Sequence, residues 1–101
     1  MEITISHNDD NSISVAISGR IDTTTAADFE KAIAPVISAG STKVFLDCEG
    51  FDYVSSTGLR VFLILQKAML ARGGTVIFRQ MKPDIRNIFD MTGFSALFQF
   101  E

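Results

Sequence analysis

The sequence predicts one α/β domain whose mixed sheet has about five strands, with the helices packed mainly on one face. Two patterns predict this fold. Near the N terminus, apolar residues alternate with polar ones on both sides of a polar turn, which indicates an antiparallel hairpin. Further along, short apolar strands alternate with segments of helical periodicity, which is typical of βαβ units with right-handed crossovers. A chain of 101 residues is long enough to bury one core.

The hairpin begins with the first residues. Ile3 and Ile5 alternate with polar neighbours, and a polar turn covers 7–11. Ile13, Val15 and Ile17 then alternate as a second strand that ends before Gly19. Because a strand pattern starts immediately after the first methionine, we expect no signal peptide.

The first helix follows the hairpin. Asp22–Thr25 contains several residue types that are favoured as helix N-caps, and Ala39-Gly40-Ser41 ends the helix. Pro35 lies inside the helical pattern, so we expect the helix to bend or fray there. The helical spacing comes from four apolar residues, Ala26, Phe29, Ile33 and Ile37.

The middle of the chain continues the alternation. A short buried strand is predicted at Lys43–Leu46, followed by a loop through Glu49-Gly50, and Phe51–Val54 then leads into a second helix. The second helix is predicted over Thr57–Ala71 because these residues are strong helix formers, and Gly73-Gly74 ends it.

Three elements complete the predicted fold. The strand at Thr75–Phe78 is followed by a third helix that begins at Pro83, a residue well tolerated in a first helical turn. Gly93 ends this helix, and Leu97–Phe100 is predicted as a closing strand.

Composition excludes several classes of protein. Nine Lys and Arg residues face twelve Asp and Glu, for a formal charge of -3, and the basic residues are scattered singly, which argues against nucleic-acid binding. The longest apolar run, Val61–Leu65, is too short to cross a membrane. The lone cysteine, Cys48, cannot form an internal disulfide and is predicted to be a half-buried thiol near a strand end. We therefore expect a cytoplasmic protein.

Three adjacent hydroxyl residues, Ser55, Ser56 and Thr57, lie where a loop becomes the second helix. One of them is expected to cap the helix, but capping needs only one hydroxyl, so a functional turn is an equally open interpretation. Gly58 is interpreted as leaving room for another molecule to approach the backbone. A phosphate at a helix N-terminus is stabilised by free N–H groups and by the helix dipole, so it would add charge while leaving the fold intact.

Catalysis by the serine cluster is not expected. The only histidine, His7, is far away in sequence, and Leu59 occupies the position where a Ser-x-x-Lys arrangement needs a lysine. No glycine-rich phosphate loop is present, and we predict neither a cofactor nor a metal. The carboxylates at loop edges are interpreted as solvated rather than as metal ligands; they are Asp22, Asp47, Glu49 and Asp52.

The second helix carries apolar residues on two faces. One face is formed by Leu59, Phe62, Leu63, Gln66 and Leu70. The other is formed by Val61, Ile64, Leu65 and Ala68. Such a helix is either packed between the sheet and its neighbours or shares one face with a partner, and the pattern alone leaves both interpretations open.

Three blocks of the chain, in order and spacing, resemble the STAS domain and in particular the stand-alone bacterial anti-sigma factor antagonists. Residues 19–22 resemble the family's Gly-x-Leu-Asp motif, and residues 55–59 resemble its Asp-Ser-Ser/Thr-Gly-Leu turn. Residues 83–94 resemble its third helix with a Thr-Gly-Leu ending. The resemblance covers essentially the whole chain and implies a single STAS domain over residues 1–101.

The resemblance also implies a mechanism. In that family the unphosphorylated domain binds an anti-sigma factor that is also a serine kinase, and so releases the sigma factor. The kinase phosphorylates a hydroxyl in the turn, which breaks the complex. A metal-dependent Ser/Thr phosphatase then restores it. Aligned on the Gly-Leu pair, the phosphorylated serine is Ser56, with Ser55 and Thr57 as the alternatives. The implied partner-binding residues are Asp22, Thr23, Ser55, Ser56, Thr57, Gly58, Leu59 and Arg60.

One position departs from the family pattern. Ser55 stands where the family has an aspartate before the phosphorylated serine, so a carboxylate beside the acceptor is missing. Asp22 matches an aspartate near the partner surface, and capping the first helix is its other interpretation. An alternative function for the chain is a STAS module that scaffolds another signalling or transport assembly without a phosphorylation switch.

Overall fold

A computed structural model describes all 101 residues and confirms the predicted fold class. One domain contains five strands, three α-helices and one 3₁₀ turn. The elements are β1 Glu2–His7, β2 Ile13–Ile21, α1 Ala26–Ser38, β3 Lys43–Val54, α2 Ser56–Ala71, β4 Thr75–Arg79, α3 Pro83–Met91, the 3₁₀ turn Phe94–Leu97 and β5 Gln99–Phe100. No helix combines the length and the apolar character that a membrane span requires.

The five strands form one mixed sheet in the order β1-β2-β3-β4-β5. β1 and β2 pair antiparallel as the predicted hairpin, and β2, β3, β4 and β5 pair parallel. Each parallel connection carries one helix. The carboxyl ends of β2 and β3 therefore meet at one edge of the sheet, where the loops into α1 and α2 begin.

The two faces of the sheet differ. Along β3, Val44 and Leu46 are buried toward the helices, whereas Asp47 on the other face is half-buried. On that second face Arg79 holds Asp47 through two contacts of 2.6 and 3.2 Å and lies 4.1 Å above the ring of Phe45. These three side chains cover part of the open face, and the main core lies under the helices, as predicted.

Phe62 of α2 lies at the centre of this core. Its ring is 4.9 Å from Phe29 of α1 and 5.9 Å from Phe51 of β3. Phe78 of β4 and Phe89 of α3 lie 5.4 and 5.8 Å away. Aromatic pairs at these separations stabilise beyond the area that they bury, so α2 is fixed to four elements at one residue.

The second apolar face of α2 is used mainly for packing. Val61 and Leu65 are 1% and 0% exposed, and Ile64 is half-buried. This supports the interpretation that α2 packs between the sheet and its neighbouring helix. On the first face, Leu70 near the end of the helix is 61% exposed.

The predicted loop at Glu49-Gly50 is wrong, because β3 runs without a break from Lys43 to Val54. The pairing register with β2 shifts between Ala16 and Ser18, and Gly50 lies opposite Ser18 at this irregularity. A Cβ atom at Gly50 would lie 2.8 Å from the Cβ of Ser18. The glycine is therefore needed for close approach of two strands rather than for a turn.

β2 also extends further than predicted, because it continues through Gly19 to Ile21. Gly19 has φ of +85°, which an L side chain adopts only with strain, and the register shifts again at this position. The glycine allows the strand to bend and resume pairing, so Ile21 comes to lie opposite Val54.

Three smaller predictions are corrected. The helix does not fray at Pro35: α1 continues to Ser38, and the N–H of Ala39 donates to the Pro35 carbonyl. Cys48 is fully buried within β3 rather than half-buried at a strand end, and burial raises its thiol pKa to about 12. The closing strand is only Gln99–Phe100, because Leu97 belongs to the 3₁₀ turn.

Candidate functional site

The serine cluster lies at the edge of the sheet where β2 and β3 end side by side. The N–H of Ser55 donates to the Ile21 carbonyl at 2.8 Å, which extends the pairing of Ile21 with Val54 by one more bond. The turn before α2 is thereby attached to the loop that leads from β2 into α1. The sheet register brings together two polar loops that are separated in the sequence by α1 and β3.

Ser55 is the residue that caps α2. Its backbone is extended, and its Oγ accepts from the Gly58 N–H at 3.2 Å. The same oxygen lies 2.7 Å from the Thr57 hydroxyl, and either atom can be the donor. The prediction that one of the three hydroxyls caps the helix is confirmed, and two of them are engaged in the cap.

Ser56 differs from its two neighbours. It is the first residue of α2, it is exposed, and its hydroxyl makes no hydrogen bond within the chain. Backbone N–H groups of a first helical turn have no carbonyl of the same helix to donate to. Here the Gly58 N–H is satisfied by Ser55, and the N–H groups of Ser56 and Thr57 remain at the helix start. A free hydroxyl thus lies in the positive field of a helix N-terminus.

The interpretation of Gly58 as room for another molecule is wrong. Gly58 is buried, and a Cβ atom there would lie 2.7 Å from Cγ2 of Ile21 and 3.0 Å from Cγ2 of Val54. The chain itself fills the space, so the glycine lets α2 approach the ends of β2 and β3. Leu59 is 6% exposed and belongs to the core. These two of the predicted partner-binding residues therefore position the turn and offer little surface.

Asp22 holds the neighbouring loop together. Its Oδ1 accepts from the Thr24 N–H at 2.9 Å, the Thr24 hydroxyl at 2.7 Å and the Thr25 N–H at 3.1 Å. The Thr24 hydroxyl, followed by the backbone bonds, holds the pKa of the Asp22 carboxyl below its ordinary value. The N-cap position of α1 is Thr25, so Asp22 stabilises the turn ahead of the helix. Thr23 is exposed at the tip of this turn.

Charged side chains lie on the elements that carry the two loops. Arg60 of α2 contacts Glu30 of α1 at 3.2 Å, with the side chains 65% and 48% exposed. Lys82 forms an ion pair with Asp52 of β3. Both pairs join residues 30 positions apart in the sequence, so no local motif could have indicated them.

An aromatic contact, which no sequence motif predicts, lies on the other side of the strand pair. The guanidinium of Arg20 lies 4.3 Å from the ring centre of Tyr53, and Tyr53 is 37% exposed. The two residues face each other because β2 and β3 pair at this position. Their contact depends on the register shifts in β2, which the sequence pattern does not reveal.

The site has no histidine base within reach. His7 pairs with Ile13 at the start of β2, whereas Ser55 bonds to Ile21 at the end of the same strand. The length of β2 separates them, roughly 25 Å at the usual rise of a strand. The arrangement can accept an anionic group at a helix N-terminus and can offer an exposed hydroxyl to another protein's active site.

Comparisons with known proteins agree with this fold and cover the site. The family model of the STAS domain matches residues 2–101. BtrV of Bordetella bronchiseptica is 30% identical over 89 residues, which are 88% of this chain and 77% of that protein. The anti-sigma-B factor antagonist of Staphylococcus epidermidis is 28% identical over 94 residues, which are 93% of this chain and 85% of that protein.

Solved structures show the same architecture. The anti-sigma factor antagonist SpoIIAA in its unphosphorylated form has a TM-score of 0.81 at 15% identity, covering 99% of this chain and 88% of that one. The phosphorylated form of Bacillus SpoIIAA has a TM-score of 0.75 at 17% identity, covering 99% and 91%. At these identities the likeness shows a shared fold.

Proposed function

The chain belongs to the STAS domain family, and we propose that it is an anti-sigma factor antagonist switched by phosphorylation of Ser56. The unphosphorylated form binds an anti-sigma factor that is also a serine kinase, and this binding releases the sigma factor. Two observations support the class of partner: the homologue from Staphylococcus epidermidis is an anti-sigma-B factor antagonist, and SpoIIAA, which shares the fold, is known in a phosphorylated form.

The choice of Ser56 rests on one observation. Of the three hydroxyls in the turn, Ser55 and Thr57 are hydrogen-bonded to each other, and Ser56 alone is exposed with no partner. In the proposed step the Ser56 Oγ attacks the γ-phosphorus of ATP. The new O–P bond forms as the bond to the β-phosphate oxygen breaks, ADP leaves, and the hydroxyl proton passes to a base of the kinase.

Phosphate at this position changes the surface without changing the fold. The amides of Ser56 and Thr57 and the dipole of α2 stabilise a negative group there. The phosphate adds about 1.5 to 2 negative charges at neutral pH. On a chain with a formal charge of -3, this is a large local change. A partner that covers the turn then meets repulsion and the cost of desolvating the phosphate, so the complex dissociates.

Ser55, which stands in place of the family's aspartate before Ser56, preserves the start of α2. Serine and aspartate are both among the favoured N-cap residues, and Ser55 caps α2 through its Oγ. The departure therefore keeps the geometry of the helix start, while the carboxylate beside the acceptor is lost. Kinase contacts that depend on that carboxylate are the feature most affected.

The proposed partner surface combines the two loops. Thr23, Ser56, Thr57 and Arg60 are exposed, whereas Asp22 and Ser55 are half-buried. The Ser55 bond to Ile21 holds both loops in one surface. A metal-dependent Ser/Thr phosphatase that acts on the same turn would restore the unphosphorylated form, and the cytoplasm is the compartment where this exchange takes place.

The direct test is a kinase assay. The chain is incubated with ATP and its cognate anti-sigma factor kinase, and the phosphate is mapped by mass spectrometry. We expect one phosphate, on Ser56, and none on the Ser56→Ala variant. Ser55→Ala, which keeps the acceptor, serves as the matched control and should still be modified. Absence of phosphate from residues 55–57 would overturn the switch and favour a STAS module that scaffolds another assembly.

A further inference from the structure

Arg60 lies four residues after Ser56 on α2, and both are exposed. Residues four apart on a helix lie on the same face, with their Cβ atoms about 5 to 6 Å apart. Side chains of a helix also point back toward its N-terminus, so Arg60 extends toward the turn. In the unmodified chain the Arg60 Nη2 contacts Oε1 of Glu30 on α1 at 3.2 Å.

The contact with Glu30 is easily exchanged. It joins two side chains that are 65% and 48% exposed, and it consists of one hydrogen bond rather than two. Ion pairs this exposed are weak. A phosphate carries about twice the charge of a carboxylate and offers three acceptor oxygens, which suit the planar fork of a guanidinium.

Two cations near the ends of β2 and β3 have partners of their own. Arg20 lies against the ring of Tyr53, and Lys82 is paired with Asp52. Neither residue is on α2, and neither has the four-residue spacing that relates Arg60 to Ser56.

We propose that phosphate on Ser56 takes Arg60 away from Glu30, an inference that rests on the proposed modification of that serine. The exchange gives the phosphate a cation on its own helix and leaves the Glu30 carboxylate on α1 without one. The switch therefore changes two places on the surface, the turn before α2 and the adjoining face of α1. A partner that spans both helices would detect phosphorylation at both.

The test places phosphoserine at position 56 during translation, so that it needs no kinase. The second pKa of the phosphate is measured by ³¹P NMR in the otherwise unchanged chain, in Arg60→Gln and in Lys67→Gln. Lys67 is an exposed cation further along α2 and serves as the matched control for loss of one positive charge. We expect the phosphate pKa to be about 0.2 to 0.4 lower with Arg60 present than in Arg60→Gln. Lys67→Gln should leave it unchanged.

The exchange itself is tested on the Arg60 side-chain Nε–Hε signal. Glu30→Gln should shift this signal in the unmodified protein, and should leave it unshifted when Ser56 carries phosphate. A phosphate pKa that is the same with and without the Arg60→Gln substitution would overturn the inference, as would a signal that still responds to Glu30→Gln after phosphorylation. Because no kinase is used, these outcomes are independent of whether the kinase assay succeeds.

Discussion

The two loops at the end of β2 and β3 have similar compositions and different chemistry. Both are short, rich in hydroxyls and followed by a helix. In the loop before α1, Asp22 engages Thr24 and Thr25, so that its polar groups are used to hold the loop. At the start of α2, the Ser55 and Thr57 hydroxyls are used in the same way, and the Ser56 hydroxyl is left free. Each region leaves one exposed hydroxyl without a partner, Thr23 before α1 and Ser56 in α2, but only Ser56 is the first residue of a helix, and residue type alone does not show this difference.

The largest effect on stability is expected at Gly58, which lets the second loop pack on the ends of the two strands. Gly58→Ala places a methyl 2.7 Å from Ile21 Cγ2 and 3.0 Å from Val54 Cγ2. Overpacking of this kind costs about 1 to 3 kcal/mol, partly offset by the better helix propensity of alanine. The free energy of unfolding from urea titration measures it.

A double mutant checks the cause of that loss. Val54→Ala removes one of the two methyl groups that the new side chain meets. The combined cost of Gly58→Ala and Val54→Ala should therefore be smaller than the sum of the two separate costs. Strict additivity would show that crowding against Val54 is not the reason.

The next largest effect on stability should distinguish the two adjacent serines at the start of α2. Ser55→Ala removes the cap to the Gly58 N–H and should lower the free energy of unfolding by about 1 kcal/mol. Ser56→Ala removes a hydroxyl without a partner and should change it by less than about 0.5 kcal/mol. Urea titrations of both variants measure the difference. Equal losses for the two variants would mean that the hydroxyls are not divided between structure and function as described.

The smallest effect on stability is expected from Asp22, in the loop before α1, and this effect depends on pH. The pKa of Asp22 is lowered in the folded chain, first by the Thr24 hydroxyl, so its stabilisation is present above the ordinary aspartate pKa of about 3.9. That stabilisation is lost as the pH falls further, through the lower pKa of the folded state. The Tm difference between the chain and Asp22→Asn should narrow below about pH 4. A difference that stays constant from about pH 6 to about pH 3 would contradict this role.

The sequence predicts the features of this fold that depend on local chemistry. Gly73-Gly74 and Gly93 end helices where expected, and Pro83 opens α3. These boundaries follow from the backbone preferences of single residues, so a short stretch of sequence contains the information.

The features that the sequence misses depend on residues far apart in the chain. Gly50 was interpreted as a loop glycine, but its role is set by Ser18 on the next strand. Gly58 was interpreted as an opening, but Ile21 fills the space. The contact of Arg60 with Glu30 likewise depends on how α1 packs against α2. The sequence therefore indicates the turn, whereas the structure is needed to show which of its three hydroxyls are hydrogen-bonded and which one is free.

We propose that phosphorylation of the Ser56 hydroxyl controls partner binding. This control is tested most directly by titrating the kinase-type anti-sigma factor, by calorimetry and without ATP, against three proteins: the unmodified chain, Ser56→Ala and the chain phosphorylated at Ser56. We expect the same affinity for the first two and an affinity at least about tenfold weaker for the third, since a like-charged or desolvated phosphate at an interface costs more than about 1.4 kcal/mol. Equal affinities for all three proteins would contradict it.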